Sequence, residues 1–397
     1  RAMKKLRLVG STLSLLICAA VSLSATGCAD ETATVTTAVS TTAAVSATSA
    51  VSVTAAPVTT AAPVTTAVAP ETTTTEQVSL GVWSALAPTG GSPAPRAGHS
   101  MAYDPSSSRV VLFGGWDGVD FNDTWAYDVA TGVWTELDPA GPVPPARHDH
   151  VMVYDDAAGK ILLFGGIEKS TYAELDDTWA YDPTANTWTN LEPTGALPKS
   201  RCLHAMAYDP AAQKVILFGG SRRGGCLEDM WAYDSTKNAW TKVDLTGDKP
   251  LARYGSRMVY DAGLGAMVLF GGSDGHLLGD TWIYESAKNT WTNVIPVDSS
   301  AVKPPAREFY AMDYDPVGAR VVLFGGCGVA PFGDTWAYES AANIWIDCSP
   351  AGDTPSARTF SSMVYAAGAG TSVLFGGSET VAASSPIGDT WRYDATP

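Results

Sequence analysis

The chain has 397 residues, with 41 acidic and 25 basic side chains and a formal net charge of −16 at neutral pH. The first 77 residues carry four charges of each sign, so the whole acidic surplus lies beyond them. An acidic body of this kind argues against nucleic acid or anionic lipid as partner, because both need a basic face.

Residues 1–27 have the order of an export signal. Lys4, Lys5 and Arg7 precede an uncharged run from Leu8 to Leu23, too short and poorly flanked for a membrane span. Small residues then lead to a cysteine in Ala25-Thr26-Gly27-Cys28. This order resembles the lipobox of bacterial lipoproteins. The resemblance implies lipidation of Cys28 and an exported protein anchored to the bacterial membrane, facing outside the cytoplasm. Residues 28–77 are Thr, Ala, Val, Ser and Pro, and no Phe, Tyr or Trp occurs before Val82. Such a segment cannot form a core and is expected to be a disordered tether, spanning roughly 40 Å as a coil.

From residue 78 onward the chain repeats. Leu112-Phe113-Gly114-Gly115 returns in copies ending at Gly166, Gly220, Gly272, Gly326 and Gly377, at intervals of 51 to 54 residues. Each copy is followed by Asp-Thr-Trp or a close variant, at Asp123, Asp177, Asp229, Asp280, Asp334 and Asp389. A unit of this size cannot bury its own apolar faces, so the copies must stack on one another. Within one unit, His99–Tyr103, Val110–Gly114, Thr124–Tyr127 and Trp134–Leu137 read as four short strands separated by Gly, Pro and Asp. No segment has convincing helical periodicity, and the class is all-β.

The pattern Arg-x-x-His-x-Met-x-Tyr-Asp, then Leu-Phe-Gly-Gly, Asp-Thr-Trp-x-Tyr and a further Trp nine residues on, is similar to the Kelch repeat. The resemblance implies a β-propeller of four-stranded blades around a central channel. Five copies end in their own Trp strand, and the sixth stops at Trp391-Arg392-Tyr393-Asp394. The missing strand is Val82-Trp83-Ser84-Ala85-Leu86, which lies thirteen residues before Arg96, the spacing that separates Trp134 from Arg147. The reading is therefore a six-bladed propeller closed by the N-terminal strand.

Of 13 Trp, twelve occupy the two repeat positions and belong to the core; Trp116 does not. The repeated Arg matches the repeated Asp in number, which suggests internal ion pairs rather than an anion site. His99, His150 and His204 recur at one position of three neighbouring copies. Three imidazoles can begin a metal site, but His is common at this Kelch position, and no cofactor is expected. Cys202 with Cys226 and Cys327 with Cys348 would each lie at one end of one blade. These are the disulfides expected of an exported chain, although four thiols or other pairings are also compatible with the sequence.

Loop length localises function. Ten positions separate Tyr103 from Phe113 and their counterparts in all six copies. The connection from the glycine pair to Asp instead varies from seven to eleven residues, and the Trp291 to Arg307 link is three residues longer than its equivalents. Antiparallel pairing puts both variable connections at one end, where recognition usually lives. The aromatic and charged residues left after removing repeat positions fall there, and the candidate ligand-binding set is Trp116, Phe121, His148, Tyr172, Arg222, Tyr254, His276, Glu308, Tyr310 and Phe332. The expected function is a monomeric, membrane-tethered module that binds an envelope or extracellular protein or a glycan through this face. The alternative is a carbohydrate-active enzyme resembling sialic-acid mutarotase, whose catalytic residues do not match here residue by residue. Galactose-oxidase chemistry does not carry over, because the Cys–Tyr crosslink and ligand set that its copper requires are not matched.

Overall fold

Residues 80–294, 302–350 and 352–395 are described by the computed structural model. The segments expected to be an export signal and a tether, with Cys28, lie outside them. No helix among the described residues is long and apolar enough to cross a membrane.

The strands form where Val, Leu, Tyr and Trp alternate between Asp- and Gly-rich turns, within a residue or two of the sequence expectation. Blade 1 runs Ser100–Asp104, Arg109–Phe113, Thr124–Asp128 and Val133–Leu137, each strand antiparallel to the next. Its second strand lies between two others and packs both faces against protein, so Val110 to Phe113 is a continuous apolar run. The hairpin joining the first two strands is held by Asp104, whose carboxylate accepts from the Ser106 and Ser107 amides. Asp155, Asp209, Asp261 and Asp315 hold the equivalent hairpins of blades 2 to 5 in the same way, while blade 6 has Ala366 at this position and a hairpin of the same length.

Six such sheets form a ring, with the first strand of each innermost, and six apolar cores fill the spaces between neighbouring blades. The ring closes as the repeat imbalance requires. Gly81–Leu86 pairs with Thr390–Ala395 in blade 6, placing Trp83 opposite Tyr393. The outer Trp of a blade donates its indole N–H to the threonine of Asp-Thr-Trp in the preceding blade, as Trp188 does to Thr124 at 3.1 Å and Trp83 to Thr335 at 2.9 Å. Blade 3 has Met230 in place of that threonine, and the Trp291 indole nitrogen is left without a partner.

The repeated arginines are entirely scaffold. Each is fully buried and bidentate to its Asp, as for Arg147 with Asp177 at 2.6 and 2.7 Å, and each also donates to the carbonyl of the first glycine of the pair. The same carboxylate accepts from the Trp two residues later, so one Arg–Asp unit ties three strands together. His99, His150 and His204 pack edge-on against Phe375, Phe113 and Phe164 of the preceding blade. They are spaced around the ring by this packing and do not converge on one point. Burial, reinforced by Arg96 and Arg257, pushes the His99 imidazole down to about 3, and burial lowers His150 and His204 in the same direction. NMR spectra should therefore show three imidazoles that do not titrate between pH 8 and pH 5. A titrating midpoint near 6.5 for any of the three would contradict the packing.

The cysteine expectation is corrected. Cys202 and Cys226 are not joined, because both pair with Ser221 from opposite sides. Two strand spacings then separate their backbones by roughly 9–10 Å, beyond disulfide reach. No disulfide joins Cys327 to Cys348 either. Cys327 is buried with Tyr254 and Phe309 near the axis, whereas Cys348 sits at the outer strand against Thr335 and Tyr393.

Candidate recognition face

Both variable connections emerge at the same end of the ring. In every blade the residue after the repeated Arg bridges to the residue after the glycine pair: Ala97 to Trp116, His148 to Ile167, Cys202 to Ser221, Tyr254 to Ser273, Glu308 to Cys327 and Thr359 to Ser378. Side chains cannot replace the glycines that allow this approach. A Cβ on Gly115 would lie 2.8 Å from that of His99, and its φ is +100°.

The floor of this face is a closed ring of backbone hydrogen bonds. Asp149 donates to Gly98, Leu203 to Asp149, Gly255 to Leu203, Phe309 to Gly255, Phe360 to Phe309 and Gly98 to Phe360, at 2.7 to 3.1 Å. All six residues are left-handed, with φ between 55° and 67°. Phe309 and Phe360 stack at 4.1 Å over the axis.

On the flank formed by blades 1, 2 and 6, Trp116, His148, Lys169, Phe360 and Val381 line a small apolar cleft. The Lys169 ammonium lies 5.7 Å from the Trp116 ring centre and 4.7 Å from that of Tyr172. Such ring-to-cation contacts hold a long side chain in place. Tyr172 is 63% exposed at the tip of its loop. His148 Nδ1 lies 2.7 Å from Asp120 Oδ1, and the other oxygen of that carboxylate accepts from the Lys169 amide. Burial opposes the charge on His148, but Asp149 and Asp120 outweigh it and raise the imidazole above its ordinary value. Asp120 is thus committed to positioning two loops.

The opposite flank holds Tyr254, Phe309 and Cys327 in one cluster, with Cys226 packed against it. Glu308 stands beside them, its carboxyl pushed up to about 7 by burial and one oxygen without a partner. Arg222 donates to Ser200 at 3.3 Å, and His276 sits exposed on a loop tip 3.7 Å from Asp274. Neither belongs to the cleft around Trp116.

Three candidates leave the set. Tyr310 is fully buried, its hydroxyl donating to the Phe270 carbonyl in the blade interface. It occupies the column of His99, His150 and His204 and does the same packing. Phe121 and Phe332 lie under the scaffold guanidiniums of Arg96 and Arg307, at 4.0 and 4.2 Å. The candidate set also omits Asp120, Asp149 and Arg257. The signal for the last two was a charge in a repeat column otherwise filled by small or apolar residues.

The propeller is of the Kelch-repeat type. Residues 72–259 match the KLHDC2/KLHL20/DRC7 Kelch-repeats domain, and residues 224–397 match the Attractin/LZTR1 beta-propeller. The chain is similar to the Rab9 effector protein with kelch motifs of Xenopus laevis, 27% identical over 44% of this chain and 50% of that protein. It is also 27% identical to the Leucine-zipper-like transcriptional regulator 1 homolog of Drosophila melanogaster, over 65% of this chain and 27% of the relative. Mei4-dependent protein 6 of Schizosaccharomyces pombe is 29% identical over 45% of this chain and 28% of its own length. The chain thus spans about a quarter to a half of these relatives.

Proposed function

We propose that this propeller is a protein-binding module that engages its partner through the loop-bearing face. One observation carries the reading: loops of unequal length place Trp116, Lys169 and Tyr172 on a rigid, hydrogen-bonded floor, while the other end has six uniform hairpins. The kelch-motif Rab9 effector among the relatives supports a role in protein interaction. Partly exposed aromatic anchors with a polar surround suit a protein surface. The exposed Tyr172 ring also suits the face of a sugar, so a glycan is the second reading.

Probing protein and glycan arrays with the purified chain, with Trp116→Ala and with Tyr172→Ala tests this. Each variant should lose binding by about tenfold or more, as truncated anchors do, with an unchanged melting temperature. Binding that survives both changes would place recognition elsewhere. We further propose that the chain is exported and held at the membrane through Cys28. Fatty-acid label incorporated equally by a Cys28→Ala variant would reject that attachment.

A further inference from the structure

Six of the arginines are neutralised by their Asp partners; Arg257 is different. It lies on the innermost strand of blade 4, in a column occupied elsewhere by Ser100, Val151, Ala205, Ala311 and Ser362. Its Nε donates to the Tyr310 carbonyl at 3.3 Å. Its two terminal nitrogens have no hydrogen-bond partner among the described residues, and no carboxylate there lies within the 4.0 Å of an ion pair. Arg257 is half-buried, and desolvation lowers its proton affinity, with Tyr310 and Asp149 offsetting part of that cost.

Arg257 lines an axial cavity of about 300 Å³ bounded by the inner strands of all six blades. Tyr103, Tyr154, Tyr208 and Tyr260 line the cavity at its hairpin end, and the hydrogen-bonded ring lies at the other end. Ser361, whose buried hydroxyl has no partner, borders the same space. The walls between are Ala102, Val153, Ala207, Val259 and Val364, with one acid, Asp313, which is occupied by the Tyr314 and Tyr365 amides.

We infer that the axial cavity is a binding site for a small monocarboxylate, held bidentately by the Arg257 guanidinium with its apolar end against the alanine and valine walls. A half-buried guanidinium that opens onto a confined, partly apolar cavity is partly desolvated without an anion beside it, and its planar fork matches a carboxylate. The volume is that of a small-molecule site. The choice of a monoanion follows from the surroundings: there is one cation, and Asp149 and Asp313 add negative charge to the same axis. A phosphate dianion would meet more repulsion than attraction. The site is separate from the loop-bearing face and does not depend on the reading of that face.

The test is a calorimetric titration of the purified chain with sodium propionate at constant ionic strength, with sodium chloride and inorganic phosphate as parallel titrants. The expected result is saturable one-to-one binding of propionate, weakened about tenfold or more in Arg257→Met and in Arg257→Lys, which keeps the charge but loses the fork. Should those variants misfold, the Arg257 Nε–H resonance of the wild-type protein, which must shift on adding propionate, decides the matter. Absence of any propionate binding, equal binding by a folded Arg257→Met variant, or tighter binding of phosphate would each overturn the inference.

Discussion

Replacing Trp83 by alanine should lower the unfolding free energy by about 3–5 kcal/mol, the usual range for deleting a buried aromatic side chain. Trp83 is 2% exposed and packs against Phe324 at 4.9 Å and Tyr393 at 5.1 Å. Its indole N–H is spent on Thr335 in blade 5, so one side chain from the start of the propeller joins its last two blades. Loss of the ring removes packing on both sides and leaves a hydroxyl without its donor. Removing Gly81–Leu86 altogether should do more, because the strand Thr390–Ala395 would become an unpaired sheet edge and invite aggregation. Urea unfolding measures the first effect and light scattering the second. A Trp83→Ala variant within about 1 kcal/mol of wild type would mean that closure contributes little to stability, against the buried-aromatic range.

Asp177→Ala should be comparably damaging, at about 3–5 kcal/mol, because it leaves a buried charge without its partner. Arg147 has no exposed side-chain surface, and Asp177 answers two of its nitrogens. Trp179 loses its acceptor in the same change. The double variant Arg147→Met, Asp177→Leu removes both charges together and should be more stable than Asp177→Ala alone. Were the double variant the less stable of the two, the pair would be supporting the blade through something other than mutual neutralisation. Four of the six carboxylates, Asp229, Asp280, Asp334 and Asp389, oppose burial strongly enough through their Arg partners to sit below the ordinary value. With folded values below unfolded ones, their contribution is present above about pH 4 and is lost as pH falls through the folded values.

Much of this was legible in the chain because each feature occurs six times. The glycine pairs, the Arg–Asp match and the unpaired Trp strand at each end specify blade number and closure without any long-range information. The loop-bearing end was legible too, since antiparallel strands leave no choice about where the variable connections emerge. The errors have a common source. Tyr310 stands out in the sequence as a singular aromatic, although its distance from Arg307 places it in the histidine column, and that column is buried. Cys202 and Cys226 are close along the chain, but the intervening strand at Ser221 becomes visible only once register is known. Arg257 and Asp149 are inconspicuous in the sequence because a charge in such a repeat column matters only once the column is known to face the axis.

The six left-handed residues at the floor donate in one rotational sense, each to its predecessor. A circular chain of this kind has no free end from which to unravel, so the aperture is a fixed diaphragm rather than a flexible lip. Its bore is set by side chains alone, and neighbours are keyed to each other. Asp149 leans to within 2.6 Å of where a Cβ on Gly98 would lie, and Phe309 to within 2.8 Å of the same point on Gly255. A propeller built this way can exchange the chemistry of its throat one pair at a time while the frame stays as it is.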